Sequence, residues 1–362
     1  MPKFYNWDDM KRIVYGGTFL AGGGGGGLDG GLAILDGLRR RYPDYKLPVL
    51  ASDEIRDDQN GAVFGGIGAP SAVNPDTIID VMDQLLRQGY NVASKIVAPK
   101  KIDVVIPSEQ GALTFMMAVL PCIVQSIPMV DADGCDRAVP GLDCCLYTLN
   151  GIPFYPGVLT TPQGHVIRVE PNKPLDAAII EKVCRRTLSL FENIMGMVCW
   201  FSSKSEIKNS LAAGTISKAY ETGNAIIKAK EAGGVEEAIN KAVPVRLLGE
   251  GKIVERNLKI MEGHDVGTTV IEADNGKRYY IDAVNESMLI RDDKKVIMTC
   301  PDVICCINAN TLEPLSTGDT KIGQNVKYFG TPVDPQWFRN GNEAVFSEFF
   351  KKCGYEGGIV RY

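Results

Sequence analysis

Six consecutive glycines, Gly22 to Gly27, constrain the fold of this chain more than any other feature. Backbone without side chains adopts conformations that other residues avoid, and it can approach a ligand closely. The run lies in the apolar sequence GGTFLAGGGGGGLDGG, whereas flexible linkers are usually rich in serine. We therefore predict a structured glycine-rich loop rather than a linker.

The residues after the glycines have the spacing of a helix. Leu28, Leu32, Leu35 and Leu38 recur at helical intervals, and arginines at 39–41 close the run. A helix N-terminus presents unpaired N–H groups with partial positive charge, which attract anionic and carbonyl oxygens. The sequence thus predicts a polar small-molecule ligand. The predicted contacts are Gly22, Gly23, Gly24, Gly25, Gly26 and Gly27.

The composition is that of a folded globular protein with more than one domain. The chain has 362 residues, of which 45% are hydrophobic and 23% charged. A net charge of −5 argues against a nucleic-acid partner. No apolar stretch of about eighteen residues or secretory signal occurs, so we expect no membrane association and a cytoplasmic location. The ten cysteines form no metal-type C-x-x-C pair, and we expect buried, reduced thiols.

Alternating strand and helix patterns predict a layered α/β domain over residues 1–170 with a mostly parallel sheet. The predicted strands are 46–52, 62–66, 102–107 and 129–132, and the predicted helices are 77–88 and 111–125. Residues 171–242 have a helical pattern and are expected to pack on this domain. Ligands of such sheets bind at the ends of the strands.

The pattern changes after residue 242. Strand-like runs separated by Gly, Asp and Asn turns predict a β-barrel-like domain over 243–335. The tail, 336–362, contains the amphipathic sequence AVFSEFFKK and ends in GGIVRY, which we expect to return to the α/β domain.

Glu109 is a candidate acid or base, because it lies between the predicted strand 102–107 and the helix that follows. A second candidate is the acidic turn VDADGCDRAVPG, with Asp131, Asp133, Asp136 and Arg137 directly after a strand. Carboxylates so spaced can bind a divalent metal ion, polarise water or hold substrate nitrogens. The ordinary alternatives are an acidic residue at a helix N-terminus and an Asx-rich turn.

Four further side chains are weaker candidates. Cys135 is a candidate nucleophile, although the neighbouring carboxylates raise the pKa of a thiol. His264 in EGHDVG is the better placed of two histidines, with a surface turn as the alternative. Thr215 and Ser217 in AGTISKAYETG lie at a predicted helix start, where hydroxyls either cap the helix or contact a ligand.

A dinucleotide fold is an alternative interpretation. Gly25, Gly27 and Gly30 fit the pattern G-x-G-x-x-G, and Asp53 follows at a suitable distance. The strand expected before the glycines is interrupted by Gly16 and its neighbour, so the match is weak. This interpretation predicts a nucleotide-dependent oxidoreductase.

The chain resembles the S-methyl thiohydantoin desulfurase family, which was long catalogued as a domain of unknown function beside hydantoinase and oxoprolinase genes. The motifs that carry the resemblance are GGTFLAGGGGGG, IPSEQGALT, PMVDADGCDRAVPGL, AGTISKAYETG, PDVICCINANTLEPLSTGDTKIGQNV and CGYEGGIVRY. They span almost the whole chain. The resemblance implies an α/β N-terminal domain followed by a β-barrel-like domain.

The resemblance also carries site residues over to this chain. These are Gly22 to Gly27, Glu109, Gly111, Asp131, Asp133, Gly134, Arg137, Thr215 and Ser217. Cys135, Asp136 and His264 depart from the residues that relatives more often have. These departures concern the identity of the substrate.

The implied activity is replacement of sulfur by water at the ring carbon between the two nitrogens of a thiohydantoin, a small cyclic amide. We expect Glu109 or Asp133 to activate the water, with the glycine-loop N–H groups, Arg137 and the Thr215 or Ser217 hydroxyls stabilising negative charge. Attack by Cys135 and a covalent intermediate is the alternative route. A homo-oligomer and a hydantoinase-type partner are compatible with the resemblance. A non-catalytic subunit of a hydantoinase-type complex is the rival function.

Overall fold

A computed structural model describes residues 2–68, 78–170, 177–188, 190–191, 194–261 and 264–362. The strands of the N-terminal part are β1 (Lys3–Tyr5), β2 (Leu47–Leu50), β3 (Asn60–Gly68), β4 (Val104–Ile106), β5 (Met129–Val130), β6 (Ala132–Asp133), β7 (Val158–Thr160), β8 (Val166–Arg168), β9 (Ile194–Ser203) and β10 (Ala212–Ala213). Its helices are α1 (Trp7–Leu20), α2 (Leu28–Arg41), α3 (Ile78–Val97), α4 (Ala112–Gln125), α5 (Leu146–Leu149), α6 (Ala177–Leu188), α7 (Lys204–Ser210), α8 (Thr215–Ala232) and α9 (Val235–Asn240).

Eight of these strands form one mixed sheet in the order β1-β2-β5-β4-β3-β9-β7-β8. The central pairs β2–β5, β5–β4 and β4–β3 are parallel, and the pairs toward both edges are antiparallel. Helix α4 packs against β3 and β4 and also contacts α2 and α3. The predicted α/β layers are therefore confirmed. The prediction of a mostly parallel sheet is wrong, because four of its seven described strand pairs are antiparallel and the parallel part is confined to the middle.

The helical prediction for residues after 171 is wrong at β9. Its sequence IMGMVCWFSS forms a long strand that pairs with β3 and β7. A continuous apolar run fits a buried strand as well as a buried helix, so periodicity alone did not separate the two. The predicted helix start at Thr77 lies outside the described residues, and α3 is described from Ile78.

The glycine run connects two helices, because the sequence RIVYGGTFL belongs to α1 and α2 begins at Leu28. The helix predicted from the leucine spacing is confirmed. The dinucleotide interpretation required a strand directly before the glycines. Since a helix stands in that place, the pattern G-x-G-x-x-G does not have its phosphate-binding context here.

The C-terminal part is an antiparallel sheet of nine strands in the order β16-β15-β14-β13-β11-β19-β17-β18, with β12 paired to β13. The strands are β11 (Arg246–Arg256), β12 (Lys259–Met261), β13 (His264–Glu272), β14 (Arg278–Val284), β15 (Glu286–Asp292), β16 (Val296–Thr299), β17 (Val303–Asn308), β18 (Pro314–Leu315) and β19 (Asn325–Thr331). Among the described residues no ladder joins the two ends of this sheet. The predicted β-structure of this part is thus confirmed, and closure into a barrel stays a prediction.

One hydrophobic core spans both parts, and the C-terminal sheet has a second, smaller core of its own. The rings of Phe19 in α1 and Phe329 in β19 lie 6.1 Å apart across the junction. The tail returns to the α/β domain at Trp337, whose Nε1 donates to the Cys135 carbonyl (2.7 Å). The same prediction for GGIVRY is wrong, because Val360 exchanges hydrogen bonds with Thr299 at the end of β16. Between these points lies α10 (Ser347–Lys352). The N-terminal and C-terminal sheets are therefore held together at several points, and their junction can carry a site.

Helices α1 and α8 cross at two glycines. A Cβ atom on Gly223 would overlap the carbonyl oxygen of Arg12, and one on Gly16 would overlap that of Ala219. We expect Gly223→Ala to lower the free energy of unfolding by about 2–3 kcal/mol, because the helices must separate to admit the methyl group. Urea unfolding measures this. Gly358→Ala, with open space around its Cβ position, is the control. Equal midpoints for both variants would contradict the packing described.

Candidate active site

A cavity of about 790 Å³ lies between the glycine loop, the N-terminal sheet and the turns of the C-terminal sheet. Among the residues that were predicted from the sequence, those in its lining are Gly23, Gly24, Gly25, Gly26, Gly27, Glu109, Cys135 and His264. Glu286, which the sequence analysis missed, also lines it. The cavity is large enough for a small heterocycle and brings together residues that lie far apart in the chain.

Carbonyl groups anchor the glycine loop on three sides. Gly22 O accepts from Ser287 N (2.9 Å), Gly23 O from Thr317 N (2.8 Å) and Gly25 O from Leu113 N (3.0 Å). In the described part of the chain, none of the N–H groups of residues 23–27 donates to another protein group. These donors precede α2, where the helix dipole adds positive potential. The loop is therefore fixed by its acceptors and keeps its donors free beside the cavity.

Close packing explains why this loop consists of glycine. A Cβ atom on Gly24 would overlap Oε1 of Glu286. Gly25 has φ +65°, and its Cβ atom would overlap the carbonyl oxygen of Gln110. A larger residue at either position would therefore collide with Glu286 or with the backbone of Gln110.

Glu109 lies between β4 and α4 and is partly exposed in the cavity lining. Its Oε2 accepts the N–H of Val139 at 3.0 Å. Desolvation of the carboxyl group, followed by the nearby charge of Glu286, raises the pKa of Glu109 well above its usual range. The Val139 N–H and the positive charge of Arg137 oppose this shift without cancelling it. Glu109 therefore holds a proton at a pH where a surface glutamate has lost it.

Glu286 begins β15, directly after the turn residue Asn285 with φ +56°. It is only 3% exposed, and its Oε2 has no hydrogen-bond partner among the described residues. Burial raises the pKa of Glu286 to about 7, and the charge of Arg137 limits the increase. The one sequence signal was a charged residue between the apolar runs IDAV and SMLI. That signal alone did not connect it to the glycine loop.

The carboxylates of the acidic turn have mainly structural partners and do not contribute to the described lining of the cavity. Asp131 Oδ1 accepts the N–H groups of Ile216 (2.8 Å) and Ser217 (3.0 Å) and so caps α8. Asp133 Oδ1 accepts the N–H groups of Cys135 (2.7 Å) and Asp136 (2.6 Å). Burial and the charge of Asp136 raise the pKa of Asp133 to about 7. The ordinary alternative of an Asx-rich turn thus describes their geometry.

The side chains that contact these carboxylates are likewise absent from the described lining of the cavity. Asp136 forms an ion pair with Lys218 at 2.7 Å, and burial raises the pKa of Asp136 against the effect of this lysine. Thr215 is the buried first residue of α8, and the hydroxyl of Ser217 donates to Asp131. The hydroxyls thus belong to the helix start rather than to the cavity lining.

Arg137 is fully buried directly behind the cavity. Its Nε donates to the Ala138 carbonyl (2.9 Å), its Nη1 donates to the Pro301 carbonyl (2.8 Å), and its guanidinium lies 5.5 Å from the Phe346 ring centre. The positive charge of Arg137 opposes the rise that burial causes in the pKa of both Glu109 and Glu286. Arg137 is therefore a fixed counter-charge for the carboxyl groups of the cavity and a link between the two sheets.

Cys135 and His264 reach the cavity in uncharged forms. Burial raises the pKa of the Cys135 thiol well above its usual value, so the thiolate needed for nucleophilic attack is scarce. Burial, followed by the charge of Arg185, lowers the pKa of His264. His264 Nε2 lies 2.8 Å from the Pro140 carbonyl, which assigns the ring proton to Nε2. Neither side chain carries charge near neutral pH.

Gly111 and Gly134 have packing roles. A Cβ atom on Gly111 would overlap the backbone of Gly25, and one on Gly134 would overlap the ring of Tyr147. For the predicted divalent ion, the described residues contain no group of three or more His, Cys, Asp or Glu side chains arranged to hold a metal. The ten cysteines are all free thiols, as predicted.

Two family models together match almost the whole chain. The family model described as "S-Me-THD-like, N-terminal domain" matches residues 8–171, and "S-Me-THD-like, C-terminal domain" matches residues 175–348. The chain belongs to the S-methyl thiohydantoin desulfurase-like family. This confirms the resemblance read from the motifs, and the family is named for an enzyme that acts on S-methyl thiohydantoin.

The fold of this family member is also found in a solved structure. The crystal structure of a protein from Chromobacterium violaceum superposes with a TM-score of 0.85 at 23% identity, over 99% of each chain. At this identity the similarity concerns the fold alone. No curated protein matches the chain. Within the described ranges, no helix has the length and apolar character needed to cross a membrane.

Proposed function

We propose that the protein hydrolyses the carbon–sulfur bond of a thiohydantoin or S-methyl thiohydantoin, giving a hydantoin and sulfide or methanethiol. The observation that supports this function is that one cavity is lined both by the glycine loop, with its free N–H groups, and by Glu109, whose pKa is raised by burial. Hydrolysis at a ring carbon needs both a proton-transfer group and donors for the charge that develops on the ring. The membership of the family supplies the class of substrate.

The reaction adds one water to the ring carbon between the two nitrogens. As the new carbon–oxygen bond forms, negative charge develops on the ring nitrogens and sulfur. The N–H groups of residues 23–27 are donors of the kind that stabilise such charge, because they are fixed in place before the reaction. Glu109 transfers protons in this proposal, since it lines the cavity while Asp133, the other predicted base, accepts two backbone N–H groups behind it.

Water is proposed as the direct nucleophile, and Cys135 tests this choice. We expect Cys135→Ala to keep thiol release within about threefold of the wild-type rate, because the buried thiol is protonated and a direct route does not use it. Steady-state kinetics with an S-methyl thiohydantoin measure this. Cys145→Ala, a second thiol in the cavity lining, controls for changes in cavity shape. Loss of turnover in Cys135→Ala alone would favour the covalent route.

The proposed function is tested by sulfide and thiol release from a panel of thiohydantoins, S-methyl thiohydantoins and sulfur-free hydantoins. As-purified protein and chelator-treated protein are assayed in parallel, so that a metal requirement becomes visible. Release from the sulfur-containing rings is the expected result. A folded protein that releases no sulfur from any ring would contradict the proposal and favour the accessory-subunit alternative.

A further inference from the structure

We propose that Glu286 is the second proton-transfer group of the cavity and works as a pair with Glu109. In this pair Glu286 takes the proton of the attacking water and Glu109 gives a proton to the leaving sulfur. The inference rests on the proposed function and deepens it, because it assigns acid and base to residues from the two sheets of the fold.

The positions of the two carboxyl groups support the pair. Glu286 Oε1 lies against the backbone of Gly24, where a Cβ atom would overlap it. The same Cβ position is 2.8 Å from the side chain of Ala138, and Glu109 accepts the N–H of the next residue, Val139. Glu286 therefore lies beside the part of the glycine loop against which Ala138 packs, Glu109 is bound at the next residue, and both glutamates line one cavity.

The state of Glu286 points to a ligand. Glu286 is only 3% exposed, and its Oε2 has no hydrogen-bond partner within the described ranges. A buried polar atom without a partner costs free energy, and such groups are retained in proteins mainly where a ligand or water supplies the missing hydrogen bond. The carboxyl lies beside free N–H donors on the glycine loop, so a polar molecule between them would satisfy both sides.

The charges around the pair separate the two roles. Glu286 faces the positive charges of Arg137 and Arg185 and the negative charge of Glu181. Glu109 faces Glu286 and Asp133 as negative charges and Arg137 as a positive one. These surroundings leave the pKa of Glu286 at about 7 and that of Glu109 well above its usual range. The two positive charges facing Glu286 therefore favour its ionised form, whereas the negative charge of Glu286 favours the protonated form of Glu109.

The step balances without a further reactant. The water oxygen bonds to the ring carbon while Glu286 takes one proton. The carbon–sulfur bond breaks as Glu109 gives its proton to sulfur, which leaves as methanethiol. Glu286 passes its proton to the ring nitrogen that carried the double bond, and the remaining hydroxyl proton returns to Glu109 through solvent. The products are the hydantoin and one thiol, and both carboxyl groups regain their starting states.

The test compares Glu286→Gln with Glu250→Gln, the same change in β11 of the same sheet at a side chain that is 53% exposed. We expect Glu286→Gln to lower kcat for thiol release about 10²–10⁴-fold with a much smaller change in KM. In the wild-type enzyme, kcat/KM should rise with pH through a group that titrates near 7 and fall at higher pH. The rising limb should be absent from the residual activity of Glu286→Gln.

A readout without substrate accompanies the kinetics. Ionisation of a buried carboxyl destabilises the folded state between its unfolded and folded pKa values, so Glu286→Gln should raise the melting temperature at pH 8 and leave it nearly unchanged at pH 4. If the wild-type protein turns over substrate and Glu286→Gln has the same kcat, the inference about Glu286 is overturned and the proposed function stands. Absence of turnover in the wild-type protein would instead overturn the proposed function and the roles that depend on it.

Discussion

Glu109→Gln is expected to lower kcat for thiol release about 10²–10⁴-fold and to leave the fold intact. Glutamine keeps the size of the side chain and can still accept the Val139 N–H, but it neither gives nor takes a proton in this pH range. Because Glu109 lines the cavity and burial raises its pKa, its removal should affect the chemical step more than substrate binding. The expected signature is a low kcat at a KM within a few fold of wild type.

Thermal unfolding provides the control for Glu109→Gln. The folded-state pKa of Glu109 is raised above its unfolded value, so the wild-type protein loses stability as pH rises from about 4.3 through the folded pKa. The variant lacks this loss. Its melting temperature should therefore equal that of wild type at pH 4 and exceed it at pH 8. A variant with full activity, or one destabilised at every pH, would contradict the role assigned to Glu109.

Arg137→Met is expected to produce the largest loss of stability, about 2–5 kcal/mol in the free energy of unfolding. The change removes the donors to the Ala138 and Pro301 carbonyls and the contact with the Phe346 ring. It also removes the positive charge that lowers the pKa of Glu109 and Glu286. Any remaining turnover should therefore have its rising pH limb shifted to higher pH.

Denaturant unfolding and a pH–rate profile measure the two effects of Arg137→Met. Arg278→Met is the matched control, since Arg278 is 43% exposed and pairs with Glu272 and Glu255 at the surface. Exposed ion pairs of this kind contribute at most about 1 kcal/mol. A loss of stability in Arg137→Met no greater than in Arg278→Met would contradict the buried counter-charge described here. A rising pH limb at the same pH as in wild type would show that the charge of Arg137 does not set the pKa of the carboxyl pair.

Local signals in the sequence predicted the elements around the glycine loop. The leucine spacing after residue 27 located α2, and the hydrophobic run before Glu109 located β4. The change of pattern after residue 242 predicted a C-terminal domain of β-strands, which the structure forms as an antiparallel sheet. Each of these predictions depended on neighbours within about ten residues, where periodicity and turn residues carry most of the information.

Contacts between distant segments could not be read in this way. Glu286 meets the glycine loop through the pairing of a C-terminal turn with Gly22, and nothing near either residue encodes that distance. Asp131 was predicted as catalytic from its spacing, yet its hydrogen bonds go to the start of α8. The apolar run of β9 was predicted as helical because a fully buried strand lacks an alternating pattern.

The glycine run illustrates how one pattern can carry two functions. The sequence predicted ligand contacts from backbone N–H groups, and the described N–H groups of residues 23–27 remain free. The carbonyl groups and the missing Cβ atoms serve packing, since Gly24 admits Glu286 and Gly25 admits Gln110. Close approach to protein and access to a ligand therefore require glycine at the same positions, and the sequence alone revealed only the second.

The most direct test of the account is hydrolysis of an S-methyl thiohydantoin in water labelled with ¹⁸O, using wild-type protein and Glu109→Gln. We expect wild-type protein to release methanethiol and an equal amount of hydantoin, with the label in the new carbonyl group. Glu109→Gln should form almost no labelled hydantoin. Labelled product formed equally by both proteins would contradict the role of the cavity carboxyl. Absence of labelled hydantoin with folded wild-type protein would contradict hydrolytic desulfurisation itself.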